Sequence, residues 1–243
     1  MEFVISNLAP DTGLPSTIHI NYRTNESAQP ISLKVNYSDL FMIYYFWPIS
    51  CVAEKYLGNS ATIVEIGGGF GGMLAKMKDL FPDSKCIMFD LPEVNAGQTY
   101  YLSQRYPSAC ILGFKDFVQR CPAIFEDNAD FLILPGWLIQ ELPDESADLV
   151  LNVRSMMEMT PEVIGFYFSQ IQRTVPDGGL FACINRNQKL TNSKNYPYDD
   201  RWRTIVSQTS ILQDHIHELI VERTETSQVF PVKETLKGLM PFT

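Results

Sequence analysis

Short apolar runs alternate with amphipathic segments from residue 61 to residue 186. The predicted strands are residues 61–66, 85–90, 131–134, 148–153 and 180–185, with two further strands at 217–226 and 229–239. The segments 73–81 and 92–105, and a third segment that begins at Pro161, have the apolar spacing of helices. This alternation predicts an α/β fold, namely a Rossmann-like, doubly wound and mostly parallel sheet of seven strands.

The first 59 residues have a different pattern, which predicts an N-terminal helical and irregular cap. Residues 1–37 are rich in Asn, Ser, Thr and Pro and read as an irregular arm. Residues 39–57 are apolar and aromatic, and they predict a helix that Pro48 bends or breaks. Tyr45, on this helix, either packs in the core or lines the roof of a pocket. We therefore divide the chain into a cap, residues 1–59, and a larger domain, residues 60–243.

Composition and charge restrict the classes of partner. The formal net charge of −9 argues against a protein whose main partner is nucleic acid, because phosphate binding needs a basic surface. The five cysteines include no pair at C-x-x-C spacing, which favours reduced thiols in a cytoplasmic enzyme. The sequence shows neither a signal peptide nor an apolar stretch long enough for a membrane span. We expect a cytoplasmic protein that contacts neither nucleic acid nor membrane.

A glycine-rich loop directly follows the first predicted strand and carries the strongest chemical signal. Glycine is needed where backbone approaches a ligand closely or adopts a positive φ, and this loop places glycines at 67, 68, 69, 71 and 72. Glu65 lies two residues before the loop, where a carboxylate would repel a pyrophosphate but suit an ammonium group. Asp90 ends the second strand, where an acid can accept hydrogen bonds from ribose hydroxyls. The set favours a cationic nucleoside over a nicotinamide dinucleotide.

These residues carry a family resemblance. Residues 64–71 resemble the first motif of class I S-adenosylmethionine-dependent methyltransferases, and residues 89–94 resemble their second motif. Together with residues 101–103 and with the spacing of Asn152, Ser155, Glu158 and Met159, they resemble the bacterial sugar O-methyltransferase family. The resemblance covers roughly residues 61–186.

The resemblance implies S-adenosylmethionine as cofactor and S-adenosylhomocysteine as product. It assigns cofactor binding to Glu65, Gly67, Gly68, Gly69, Gly71, Asp90, Leu91, Pro135, Gly136, Trp137, Asn152 and Val153. In this assignment the loop packs under the methionine part and Asp90 holds the ribose. Trp137 could equally be a core residue.

A hydroxyl acceptor usually needs a base, which should lie near the end of the fourth strand. Glu158 is the first candidate, with Ser155 beside it, although the two could instead form a local capping arrangement. Thr160 and Pro161 make a better helix start, which frees Ser155 and Glu158 for another task. His217 is the alternative base, although a solvent-facing role is open to it as well.

The candidate acceptor-binding residues are Tyr45, Arg154, Tyr198, Asp199 and Trp202. The last three belong to a segment whose aromatic rings and carboxylates could hold a sugar, or which could be a solvated loop that precedes a helix. We assign no metal ligands, because no residues have a diagnostic spacing, although adjacent acids leave Mg²⁺ open.

The sequence thus predicts an O-methyltransferase that acts on a hydroxyl of a sugar or a glycosylated natural product. Three alternatives stay open: a methyltransferase that acts on O, N or C of another small molecule, a nicotinamide-dependent oxidoreductase, and a non-catalytic partner subunit that keeps the fold. The oligomeric state is open and includes a homodimer.

Overall fold

The computed structural model describes residues 17–22, 31–225 and 230–238, with side chains from residue 38 onward. Most of the predicted irregular arm, residues 1–16 and 23–30, lies outside the described residues, as do the two ends of the predicted strand 229–239.

The strands within these ranges are β1 (Thr17–Tyr22), β2 (Ile31–Asn36), β3 (Thr62–Ile66), β4 (Lys85–Asp90), β5 (Ile111–Leu112), β6 (Phe131–Pro135), β7 (Leu149–Val153), β8 (Leu180–Arg186), β9 (Trp202–Thr209) and β10 (Ile216–Arg223). The α-helices are α1 (Tyr37–Tyr56), α2 (Gly72–Leu80), α3 (Pro92–Arg105), α4 (Phe114–Arg120), α5 (Pro161–Thr174) and α6 (Val232–Lys237).

One mixed sheet organises the fold. Its strand order is β5-β6-β4-β3-β7-β8-β10-β9, and every pairing is parallel except those of β10, which is antiparallel to β8 and to β9. β1 and β2 pair separately as an antiparallel ladder. The doubly wound α/β prediction is confirmed. The sheet has eight strands where seven were predicted, and the two-residue β5 lies at one edge.

Helices cover both faces of the sheet. Apolar residues of α1, α2 and α3 share one core cluster with Leu149 and Leu151 of β7. Residues of α4 and α5 share the other cluster with Val150, which points to the opposite face of the same strand. Because α1 packs on the main sheet, the predicted cap helix belongs to the same core as the larger domain.

The structure corrects two elements at the C-terminal end. Residues 202–209 form the strand β9, which sequence reasoning did not predict. Val232–Lys237 is a helix, so the strand predicted across 229–239 is wrong there. An edge strand such as β9 is half exposed, and its mixed polar and apolar residues therefore lack the continuous apolar run of the central strands.

Helix α1 packs on one face of the sheet, and residues near its start reach the glycine loop. It continues through Pro48, so the predicted break does not occur. Near its start, Asp39 pairs with Lys76 of α2 at 2.7 Å, and both side chains are buried. This buried ion pair joins α1 to the helix that follows the glycine loop.

Candidate active site

The glycine loop turns sharply between β3 and α2. Gly67, Gly69 and Gly71 have φ values of 70°, 57° and 96°, which L side chains rarely adopt. A Cβ atom on Gly67 would also overlap the hydroxyl of Ser155. Glycine is therefore required here by backbone conformation and by the close approach of the segment after β7.

Glu65 lies buried beneath this loop. Its carboxylate accepts a hydrogen bond from the backbone N–H of Leu74 at 3.1 Å, and its side chain leaves no room for a Cβ atom on Gly68. Burial raises the pKa of Glu65 to about 8. Near neutral pH the carboxyl is therefore largely protonated, and a cationic group placed nearby would favour its ionised form.

Asp90 closes the other side of the loop from the end of β4. Its Oδ2 atom accepts hydrogen bonds from the backbone N–H of Gly69 at 3.2 Å and from the side chain of Gln98 at 2.8 Å. Gln98 also donates to the carbonyl of Gly69 and accepts from the side chain of Asn95. Burial raises the pKa of Asp90. Gln98 thus positions the acid, a role that sequence reasoning missed because a buried glutamine in a helix has no distinctive spacing.

The residues predicted to edge an adenine lie beside Asp90. Pro135 of β6 is the parallel partner of Asp90, and a Cβ atom on the next residue, Gly136, would overlap the hydroxyl of Tyr167. Leu91 and Trp137 are 59% and 52% exposed. Trp137 is therefore not a core residue, which resolves the alternative left open by the sequence. Tyr167, on α5, is a site residue that sequence reasoning assigned to a helix face only.

A cavity of about 590 Å³ opens over the loop. Its lining residues are Ser38, Phe41, Met42, Tyr45, Glu65, Gly67, Gly68, Gly69, Phe70, Val153, Arg154 and Gln213. Of the predicted site residues, the structure thus brings Tyr45, Val153 and Arg154 together with Glu65 and the loop. Sequence reasoning missed Phe41 and Met42, whose spacing from Tyr45 along one helix face was a usable signal. Gln213, in the turn between β9 and β10, had no such signal.

Asn152 precedes Val153 of the cavity lining and is fully buried. Its amide donates to the carbonyl of Ile66 at 2.9 Å and to the hydroxyl of Ser155 at 2.6 Å, and it accepts from Asn185 and from the backbone of Met156. These bonds use the hydrogen-bonding capacity of the amide within the protein. Asn152 and Ser155 therefore join the end of β7 to the end of β3.

Glu158 lies apart from the cavity lining. It pairs with Lys189 at 2.5 Å, and the two side chains are about half and two-fifths exposed. Its expected partner, Ser155, instead donates to the carbonyl of Ile66. The structure does not bring Glu158 to the glycine loop.

His217 does not reach the cavity or the solvent. It is buried in β10, where its Nε2 atom lies 2.9 Å from the hydroxyl of Ser207. Burial lowers the pKa of His217 to about 4. A neutral, enclosed imidazole at this position belongs to the packing between strands, which corrects both the expected base and the solvent-facing alternative.

The predicted sugar-binding segment is part of the core. Tyr198 and Trp202 are 2% and 1% exposed and pack with Phe168 and Phe181. Asp199 receives two hydrogen bonds from Arg223, both of 3.0 Å. The aromatic rings and the carboxylate therefore stabilise one end of the sheet, and the structure does not bring any of the three to the cavity.

Within the described ranges, no group of three or more His, Cys, Asp or Glu side chains is arranged to hold a metal ion. No helix in the same ranges has the length and apolarity needed to cross a membrane.

Residues 50–164 match a family model described as an O-methyltransferase domain. The match extends from the middle of α1 to the start of α5, and so includes the glycine loop, Asp90 and the end of β7. It confirms the predicted methyltransferase resemblance. No curated protein matches the sequence significantly.

Solved structures similar to this chain share its fold at low sequence identity. A protein from Galdieria sulphuraria, provisionally assigned as a sarcosine dimethylglycine methyltransferase, is 10% identical with a TM-score of 0.56, over 86% of this chain and 94% of that one. Geranyl diphosphate C-methyltransferase from Streptomyces coelicolor A3(2), in complex with Mg²⁺, geranyl-S-thiolodiphosphate and S-adenosyl-L-homocysteine, is 13% identical with a TM-score of 0.52, over 73% of this chain and 76% of that one. At these identities the likeness concerns the fold.

Another similar structure, mitomycin 7-O-methyltransferase, is 16% identical with a TM-score of 0.45. The alignment covers 77% of this chain and 57% of that enzyme. The chain thus spans little more than half the length of that protein.

Proposed function

We propose that the protein is an S-adenosylmethionine-dependent O-methyltransferase that acts on a small-molecule acceptor. The observation that carries the proposal is the meeting of two carboxyl groups at one glycine loop. Asp90 reaches the loop at Gly69, and Glu65 lies against Gly68. An acid suited to a ribose and an acid suited to an ammonium group thus flank the backbone on which the cofactor would rest.

The residues present fit this cofactor. The positive φ angles of Gly67 and Gly69 leave a cradle without side chains. Asp90, held by Gln98, can accept hydrogen bonds from ribose hydroxyls. The exposed faces of Leu91 and Trp137 are available to an adenine ring.

When bound, S-adenosylmethionine would supply a methyl group that an oxygen nucleophile attacks in line, with S-adenosylhomocysteine as the leaving group. The chain itself therefore mainly supplies alignment, which can contribute about 7–11 kcal/mol to catalysis. The cavity over the loop offers an apolar wall of Phe41, Met42 and Phe70 and the polar ends of Tyr45 and Gln213. Such a lining suits an organic acceptor that presents one hydroxyl group.

The first experiment is calorimetric titration of the protein with S-adenosylhomocysteine, with NADH as the control ligand. We expect binding of S-adenosylhomocysteine alone. Binding of NADH alone would replace the methyltransferase proposal with an oxidoreductase. Binding of neither ligand would favour a partner subunit that keeps the fold without the activity.

The finer proposal, a sugar or glycoside acceptor, rests on the family resemblance of the Ser155 and Glu158 motif. A neutral sugar hydroxyl needs a base, and removing a general base typically costs about 10²–10⁴-fold in rate. To act as that base on a glycoside acceptor, Glu158 must exchange its exposed pair with Lys189 for a contact with the acceptor. We therefore expect Glu158→Gln to lower the turnover number by at least about 100-fold and to leave the affinity for S-adenosylhomocysteine unchanged.

The matched control for that variant is Glu234→Gln, because Glu234 is also an exposed glutamate paired with a lysine, in this case Lys237. The control should retain full turnover. Full turnover in Glu158→Gln as well would remove Glu158 as the base and leave its pair with Lys189 as a surface contact.

A further inference from the structure

Arg154 occupies an unusual backbone position at the cavity. It directly follows β7, and its φ of 63° lies in the left-handed region, which is disfavoured for any residue with a Cβ atom. Its backbone N–H donates to the carbonyl of Ile184 at 2.7 Å, which holds this conformation. Strained positions of this kind persist where the surrounding structure determines them, and they concentrate at functional sites.

The side chain of Arg154 is oriented by two neighbours from distant parts of the chain. Its guanidinium lies 6.0 Å from the centre of the Tyr45 ring and donates to the Tyr45 hydroxyl at 3.4 Å. That hydroxyl in turn donates to the side-chain oxygen of Gln213 at 3.3 Å. Within the part of the chain that the structure describes, Arg154 forms no ion pair, so its charge is available to an anion in the cavity.

The charges of the cavity match those of an amino acid. Glu65 and Arg154 are the lining residues that carry an acidic and a basic group, and the remaining described lining is apolar, backbone or uncharged. Arg154 lies next to Ser155, whose hydroxyl touches the Cβ position of Gly67. A carboxyl group under the loop and a guanidinium beside it complement an α-ammonium and an α-carboxylate on one ligand.

We propose that Arg154 binds the α-carboxylate of the methionine part of the cofactor, with Tyr45 and Gln213 as positioning residues. This inference rests on the proposed function and deepens it. It moves Arg154 from the acceptor, where the sequence placed it, to the cofactor. The acceptor is then left with the apolar wall of Phe41, Met42 and Phe70.

The test compares two ligands that differ only in the part Arg154 would bind. S-adenosylhomocysteine and 5′-methylthioadenosine share the adenosine and the thioether, but the second lacks the amino-acid group. A hydrogen-bonded charge pair of this kind typically changes affinity by about 10- to 100-fold. We expect Arg154→Gln to lower the affinity for S-adenosylhomocysteine by that factor and to leave the affinity for 5′-methylthioadenosine unchanged.

Two further variants complete the measurement. Arg154→Lys keeps the charge but loses the planar guanidinium. Its affinity for S-adenosylhomocysteine should therefore lie between those of the wild type and Arg154→Gln. Arg120→Gln changes an arginine of α4 that pairs with Asp116 and Asp127 away from the cavity, and it should bind both ligands like the wild type. If Arg154→Gln does not fold, Arg154→Lys carries the comparison.

Each result bears on one claim. An equal loss for both ligands in the Arg154 variants would make Arg154 a structural residue and overturn the inference. Unchanged affinity for both ligands would overturn it as well and return Arg154 to the acceptor. Failure of the wild-type protein to bind either ligand would instead overturn the proposed function itself.

Discussion

Single residues at the loop have functions that depend on very local geometry. Gly67 must have no side chain for two reasons. Its φ is positive, and a Cβ atom there would overlap the side chain of Ser155. Gln98 donates a hydrogen bond to Asp90 and holds its carboxylate toward the loop. At this scale the sequence predicted Gly67 and Asp90 as site residues, whereas only the structure shows their contacts with Ser155 and Gln98.

Asp90→Asn tests the ribose contact. The variant keeps the shape of the side chain but replaces one acceptor oxygen with a donor, so it loses a charge-assisted hydrogen bond to the ligand. We expect the affinity for S-adenosylhomocysteine to fall by about 10- to 100-fold in calorimetric titration. Asp83→Asn, at an exposed acid between α2 and β4, is the control. Unchanged affinity in Asp90→Asn would mean that the ribose lies elsewhere.

Gly67→Ala tests the backbone requirement. The left-handed conformation alone costs an L-residue about 1–2 kcal/mol, and the overlap with Ser155 adds to that cost. We expect a lower free energy of unfolding and a loss of cofactor binding. The matched control is Gly97→Ala in α3, where a Cβ atom meets nothing within 4 Å and alanine should stabilise the helix by about 0.5–1 kcal/mol. Equal stability of the two variants in denaturant titrations would argue against a strained loop.

Among the elements, the parallel strands present the site and the antiparallel strands support it. Asp90, Pro135 and Val153 all lie at the carboxyl ends of parallel strands, where ligands of such sheets bind. β9 begins at the buried Trp202, which packs against Phe181 and under the guanidinium of Arg223. The aromatic segment before β9 therefore anchors the edge of the sheet.

Trp202→Ala and Trp137→Ala separate these two roles. Removing a buried tryptophan typically costs about 3–5 kcal/mol, so Trp202→Ala should lower the free energy of unfolding by that amount. Trp137 is half exposed, and its removal should change stability by less than about 0.5 kcal/mol. Trp137→Ala should instead lower the affinity for S-adenosylhomocysteine. The opposite pattern, a stable Trp202→Ala protein with a raised acceptor KM, would restore Trp202 to the acceptor site.

At the scale of the whole molecule, the cavity exists only because distant segments converge. Phe41 and Tyr45 come from α1, Arg154 follows β7, and Gln213 lies between the last two strands. The buried pair of Asp39 and Lys76 fixes α1 in place. Folding also buries Glu65 without a cationic partner among its hydrogen bonds, so the stability of the protein depends on pH.

The sign of that dependence follows from the raised pKa of Glu65. The pKa of Glu65 is 4.5 in the unfolded chain and about 8 in the folded protein. Between these values the folded state binds more protons, so this residue lowers the free energy of unfolding as pH rises, by at most about 1.4 kcal/mol per pH unit. Glu65→Gln should remove that loss. Denaturant titrations between pH 5 and pH 8 measure it, and parallel curves for the two proteins would contradict it.

The sequence by itself determined the sheet class, the order of its central elements and the glycine loop with its two acids. These features are local, because apolar periodicity and glycine spacing depend on residues near one another in the chain. Only the tertiary structure decided which remote side chains meet the loop. It buried Trp202 and His217, left Glu158 in a surface ion pair and brought Tyr45 and Gln213 to Arg154. Such contacts depend on how helices and strands pack over long separations, which no local pattern specifies.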